Sequence, residues 1–215
     1  MSRMSRGALV IFEGVDRSGK STQIKRIYEQ MTGRGDSVFL TRFPERTSEI
    51  GQMINQYLKN NSNLNDRAIH LLFSANRWEH ADLILGLITC YNCIHIFKIL
   101  FLEKLKSGTT VLVDRYAYSG VAFTAAKGLD LEWCKNPDRG LPQPDLVLQL
   151  NISEDIAKNR GGFGEERYEK VQFQREVRKH YHTLATENSQ VIILPNDKSH
   201  YFAEQGARFF GTVFI

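Results

Sequence analysis

The chain has 215 residues, 42% hydrophobic and 24% charged, which excludes a disordered or fibrous protein and allows one domain with a sizeable core. Its 28 Lys and Arg against 24 Asp and Glu give a net charge of +4. That excess suits phosphorylated small molecules and is too small to argue for nucleic acid as a partner. The three cysteines, Cys90, Cys93 and Cys134, make no disulfide framework for a chain of this size, so a reducing compartment is expected. The basic N-terminus carries only a short apolar run before Glu13, with no small-residue cleavage site after it. It reads as a first strand rather than a signal peptide, and the cytosol or nucleus is the expected location.

In chain order, Gly7 to Glu13 (GALVIFE) is an apolar run ending in a glycine turn, the pattern of a buried parallel strand. Ser18 to Met31 reads as a helix, stopped by Gly33 and Gly35. Ser37 to Arg42 (SVFLTR) is a second strand. Thr47 to Leu58 and Asp66 to Ala81 are predicted helices, separated by the polar loop KNNSNLN. Thr109 to Val113 is a third strand and runs into Asp114-Arg115-Tyr116. Asp145 to Leu150 and Gln190 to Leu194 are the fourth and fifth. Strands alternating with helical stretches imply a parallel five-stranded sheet with helices on both faces, an α/β fold whose ligands bind at the carboxyl ends of the strands. Without a repeat or a long linker, the whole chain, 1–215, is expected to be one domain.

Gly14-Val15-Asp16-Arg17-Ser18-Gly19-Lys20-Ser21 matches G-x-x-x-x-G-K-[ST] with no departure, between a strand and a helix. The two glycines let the loop curl so that its N–H groups point at phosphate oxygens, and the following helix offers its positive end. Lys20 then reaches the β- and γ-phosphates of a nucleotide, and Ser21 ligates Mg²⁺. The expected fold is thus of the P-loop NTPase type, with ATP as the bound nucleotide. A GTPase would carry an Asn-Lys-x-Asp guanine reader, whereas the nearest string here is Asn196-Asp197-Lys198-Ser199. A kinase must hold a second phosphorylated substrate and so needs further cations aimed at the same place.

The strings FEGVDRSGKST (12–22), RFPER (42–46), HLLFSANRWE (70–79), VDRYAYSGVAFTAAKG (113–128), LPQPDLVL (141–148) and GGFGEERYE (161–169) supply them. Taken together and in this order, they resemble the eukaryotic thymidylate kinases. The resemblance implies transfer of the γ-phosphoryl group of ATP to dTMP, with Mg²⁺ as cofactor and a homodimeric assembly. It implies that Gly14, Arg17, Ser18, Gly19, Lys20, Ser21 and Thr22 hold ATP, with Ser21 on Mg²⁺ and Asp114 on it through water. The implied catalytic set is Arg17, Lys20, Asp114 and Arg115. On the acceptor side it implies Phe43 among the dTMP-binding residues, Arg46 at the monophosphate, Phe73 stacked on thymine and Arg77 on the base edge. Asp16 would lie near the sugar 3′-hydroxyl and Arg115 between the two phosphates. Gly120, Phe123, Tyr168 and Gln174 would line the nucleoside pocket. Arg17, inside the loop, corresponds to an arginine finger supplied in cis, the eukaryotic subtype.

Some of this follows without the resemblance. A guanidinium such as that of Arg46 forks onto phosphate oxygens, and Phe73 and Arg77, four apart on a helix, share a face. The glycines around Phe163, at about 160–167, read as a mobile lid that excludes water as a competing acceptor. The acceptor phosphate oxygen is itself the nucleophile, so no side-chain nucleophile is needed. The six histidines show no metal-ligand spacing.

Two stretches depart from the family pattern. Leu85 to Leu102 (LGLITCYNCIHIFKILFL) interrupts it with an apolar insert of eighteen residues. As a membrane span it would separate the phosphate loop from Arg115, which must meet at one phosphate, so no membrane association is expected. Cys90-x-x-Cys93 has no partnering Cys pair or His cluster and does not read as a zinc or redox site. Five helical turns could lengthen a helix and expose an apolar patch, and eighteen codons also fit a translated intron. The C-terminal string RFFGTVFI replaces a closing helix. The competing expectations are a monophosphate kinase of other base preference and a nucleotide-binding variant disabled by the insert.

Overall fold

The computed structural model describes residues 7–85, 109–159 and 166–195. Its strands are β1 (Leu9–Glu13), β2 (Val38–Arg42), β3 (Thr110–Asp114), β4 (Leu146–Asn151) and β5 (Val191–Pro195). All pair in parallel, in the order β2-β3-β1-β4-β5. The strand order therefore reverses about β1, and the phosphate loop leaves the carboxyl end of that central strand, the crevice where such sheets bind ligands.

β1 is apolar at every position but its last because both of its faces are covered. Val10 and Phe12 pack with Leu112, Leu148 and Leu150 against Ile24, Ile27 and Met31 of helix α1 (Lys20–Gly33). Leu9 and Ile11 face the other way, with Val111, Val113, Val147 and Tyr116. Glu13, at the strand's end, is fully buried.

The predicted strands agree with those observed to within two residues at each end. The helices differ more. α1 begins at Lys20 rather than Ser18, because Gly19 takes a left-handed φ of 88° and closes the phosphate loop. α2 (Glu49–Leu58) begins two residues after the predicted Thr47, since Ser48 caps it by accepting from Gly51 N. α3 (Asp66–Leu85) runs four residues past Ala81. α4 (Ala117–Ala125), α5 (Leu131–Lys135), α6 (Glu154–Lys158) and α7 (Val171–Thr186) have no counterpart among the predicted elements. α4 is almost wholly apolar, which hides its period, and it packs against α7, α5 and α3, whereas α7 buries Gln174, Val177, Tyr181 and Leu184 at helical spacing.

The insert beyond Leu85, the glycines at 161, 162 and 164 and the C-terminal string lie outside the described residues. Among the described residues no helix is long and apolar enough to cross a membrane.

Leu112 is fully buried in the α1-side core, whereas Leu71 is 48% exposed. Leu112→Ala is expected to lower stability by about 3 kcal/mol through lost transfer energy and a residual cavity. Leu71→Ala should change it by less than about 0.5 kcal/mol, as is usual at exposed positions. Urea denaturation of both variants checks this.

Candidate active site

The phosphate loop turns at Gly14, whose φ of 137° puts any added Cβ 2.3 Å from Leu150 O; only glycine fits there. No side chain caps α1, which leaves its first N–H groups for an anion. Lys20 is buried beneath the loop, where its Nζ donates to Gly14 O at 3.0 Å, Val15 O at 2.7 Å and Ser18 Oγ at 3.2 Å. Burial, with the Arg115 guanidinium nearby, lowers its pKa to about 7.

Ser21 Oγ donates to Asp114 Oδ2 at 2.6 Å, joining the start of α1 to the end of β3. Arg42 Nη2 reaches the same carboxylate oxygen at 3.1 Å. Burial alone would raise the Asp114 pKa, but Lys20, Arg115, Ser21 and Arg42 hold it below the usual carboxylate range. A hydroxyl and an ionised carboxylate are the hard oxygen ligands that Mg²⁺ takes beside nucleotide phosphates, so these residues fit that ion.

Arg115 sits at the centre. Its Nη1 donates to Gly14 O and Ser119 Oγ, both at 3.2 Å, its Nη2 donates to Asp16 Oδ1 at 2.5 Å, and its guanidinium lies over the Phe123 ring. Burial works against its charge; Asp16, with Asp114 and Glu13, more than compensates, so its pKa rises. Below it, Glu13 accepts from the backbone N–H groups of Tyr116 and Ser119 and from the Ser119 and Tyr181 hydroxyls. Arg17 and Arg115 both have left-handed backbones, φ 60° and 70°, the local strain that clusters at functional sites.

Two carboxylates from the segment before α7 meet the remaining phosphate-side arginines. Glu169 accepts from Arg17 Nε at 2.8 Å, and Glu166 accepts from Arg46 Nη1 at 2.9 Å and Nη2 at 3.4 Å. Gln174 stands behind the loop, its amide spent on Asp16 N, Asp16 Oδ2 and Tyr168 O.

On the opposite wall, α3 presents Phe73 and Arg77 on one face, as their spacing predicts. Arg77 lies along Gly120 of α4, where a Cβ would come within 2.7 Å of its Nη2. Tyr168 precedes α7 and stacks on Phe173 at 5.3 Å, with Phe123 at 5.5 Å.

One cleft of about 1320 Å³ joins the two walls. Of the residues singled out from sequence, Asp16, Arg17, Gly19, Lys20, Ser21, Thr22, Phe43, Arg46, Phe73, Arg77, Asp114, Arg115, Gly120, Phe123 and Tyr168 line it. Gly14 and Ser18 shape the loop from beneath, and Gln174 supports Asp16 from behind rather than lining the cleft. Sequence reasoning passed over Arg42, Glu166, Glu169 and the buried Glu13. Arg42, Glu166 and Glu169 stand inside the strings RFPER and GEERYE, where their charge next to candidate phosphate-binding residues was the available signal.

The thymidylate kinase family model matches residues 12–203. The chain is 51% identical over 187 residues to a thymidylate kinase of Arabidopsis thaliana, a match covering 87% of this chain and 65% of that protein. With the Schizosaccharomyces pombe thymidylate kinase it shares 48% over 187 residues, covering 87% and 81%. With the Homo sapiens thymidylate kinase it shares 48% over 180 residues, covering 83% and 77%. The solved thymidylate kinase of Candida albicans superposes with a TM-score of 0.79 at 34% identity, covering 96% of this chain and 92% of that one.

The chain belongs to the thymidylate kinase family. It is therefore a phosphotransferase, and the family's reaction, dTMP to dTDP, needs the two walls that this cleft brings together. The phosphate-side wall holds Lys20 poised to take up a proton. Its pKa, lowered to about 7 by burial and Arg115, should rise again if nucleotide phosphates surround it. Binding of MgATP should then take up roughly half a proton at pH 7, nearly one near pH 8.5, and almost none below about pH 5.5. Titration calorimetry in buffers of different ionisation enthalpy checks this. Uptake that does not grow with pH contradicts it.

Proposed function

We propose that this chain transfers the γ-phosphoryl group of ATP to the phosphate of dTMP, with Mg²⁺ held by Ser21 and Asp114. The observation that carries the reading is the position of Arg115. It touches the phosphate loop at Gly14 O and the acceptor side at Asp16 and Phe123. A cation so placed offsets charge on the transferred group from both substrates' sides.

Loop N–H groups and Lys20 would hold the β- and γ-phosphates, and Arg17 would reach the γ-phosphate from within the same loop. Arg46 would fork onto the acceptor phosphate after giving up Glu166, while Phe73 stacks on the base and Asp16 faces the sugar. Mg²⁺, when bound, supplies further neutralisation of phosphate charge. The acceptor oxygen is already a nucleophile, so alignment and charge do the catalytic work. The same reading carries a homodimer in the cytosol or nucleus, with no nucleic-acid partner.

Release of ADP, measured with dTMP, dUMP, UMP, CMP and GMP as acceptors, tests the reading. We expect turnover to be greatest with dTMP; no turnover with any acceptor overturns it. Arg17→Gly isolates the finger, because glycine accepts the φ of 60° without strain. It should lower kcat by about 100-fold, as loss of one transition-state donor does, while the KM for dTMP moves less than about threefold. An equal loss in both parameters contradicts a cis finger.

A further inference from the structure

The α3 wall of the cleft contains a buried ion pair. Arg77 and Asp138 are buried, with side chains 3% and 4% exposed. Arg77 Nε donates to Asp138 Oδ1 at 3.0 Å and Nη2 donates to Oδ2 at 2.6 Å, two parallel bonds that fix the plane of the guanidinium. Asp138 ends a 3₁₀ turn (Asn136–Asp138) and is itself anchored: Ser74 Oγ donates to its Oδ1 at 2.7 Å. Trp78 Nε1, one turn further along α3, donates to Pro137 O at 2.7 Å and locks the turn to the helix. Gly120 closes the arrangement by leaving room for the guanidinium where any Cβ would strike it.

A guanidinium has five N–H groups, and Asp138 takes two of them. The other three, two on Nη1 and one on Nη2, bond to no described residue, and Arg77 lines the cleft. Nor is Nη1 sealed away. Among the described residues Arg178 Nε is the one fully enclosed side-chain polar atom without a partner. Arg77 therefore presents a rigid edge made of donors alone to whatever base lies beside Phe73.

We infer that Asp138 is a specificity-positioning residue: by pinning Arg77 through Nε and Nη2, it makes the base pocket demand a hydrogen-bond acceptor at pyrimidine position 4. Thymine and uracil offer a carbonyl oxygen there, and cytosine offers an amino group. Donor facing donor leaves both unpaired in a desolvated site, the arrangement that rejects an analogue most strongly. An unpinned arginine could swing aside and relax that demand. The inference rests on reading Arg77 as the group that meets the base.

The test compares kcat and KM for dTMP, dUMP and dCMP in the full-length enzyme and its variants. Asp138→Asn keeps the shape but turns one acceptor into a donor facing Nη2. We expect its KM for dTMP to rise about tenfold, that for dUMP to rise equally, and the preference for dTMP over dCMP to shrink by about tenfold. The KM for ATP should stay within about twofold. In an Arg77→Met background the same substitution should leave the dTMP-to-dCMP ratio unchanged, because Asp138 acts only through Arg77. Should Asp138→Asn not fold, Asp138→Glu keeps the charge and displaces the guanidinium by one methylene, with the same expected rise and the same shrinkage. An unchanged dTMP-to-dCMP ratio in whichever folded variant is measured overturns the inference, as does a loss shared evenly by all acceptors and ATP. If Arg77→Met itself leaves the dTMP KM unchanged, the reading of Arg77 fails; if Arg77→Met raises it and the Asp138 variants do not, only the positioning role fails.

Discussion

A site that binds two phosphorylated molecules must hold its cations close together before any phosphate arrives. Like charges about 4 Å apart near a protein surface repel by several kcal/mol, so the fold needs internal anions. Here each described arginine that lines the cleft has a carboxylate of its own: Arg17 with Glu169, Arg42 with Asp114, Arg46 with Glu166, Arg77 with Asp138 and Arg115 with Asp16. Lys20 is held differently. Two backbone carbonyls and a hydroxyl take its donors, and burial beside Arg115 brings its pKa down to about 7. The loop lysine thus responds to the phosphates, whereas the arginines stay charged throughout.

The pairs fall into two kinds. Arg77–Asp138 is buried on both sides, and removing one partner would strand a charge in the interior, so this pair is a fixed part of the wall. Arg46–Glu166 is more than a third exposed on each side, and such a pair contributes little stability. Because it is weak it can be exchanged. In the function proposed above, an arriving acceptor phosphate would replace one anion with another at Arg46, so the guanidinium would never lose its partner. Burial, not the mere presence of an ion pair, separates the fixed pair from the exchangeable one.

Much of the architecture was legible in the sequence. The β1 run, its glycine turn and the Lys-Ser ending specify a strand, an anion loop and a helix, because steric rules at Gly14 and Gly19 admit few alternatives. The five strands follow from short apolar runs bounded by turn residues, and the shared face of Phe73 and Arg77 follows from helical spacing. The helices α4 and α7 were less legible, since α4 is apolar almost all round and its period is hidden. The carboxylates were the least legible of all. Glu13, Asp138, Glu166 and Glu169 each act on an arginine or a loop far away in the chain, up to 152 positions for Arg17 and Glu169, and no local pattern encodes such a pairing.

The insert poses the remaining physical question, because the site is assembled from both sides of it. Ser21 and Arg42 come before residues 86–108 and Asp114 after them, yet they meet at one carboxylate oxygen. Arg77 precedes the same stretch, while Gly120 and Asp138 follow it. α3 carries Arg77 eight residues before its last residue, Leu85, and is locked to the 136–138 turn through Ser74 and Trp78. β3 is fixed independently, by its ladders to β1 and β2. Each wall is thus positioned by contacts of its own, and the chain between Leu85 and Thr109 has only to connect two ends that the fold already holds. Loop-closure entropy grows slowly with length: each doubling of a connection adds only about 0.6 kcal/mol. Whether Arg115 can reach Gly14 is therefore decided by the contacts on either side of that stretch, not by its length.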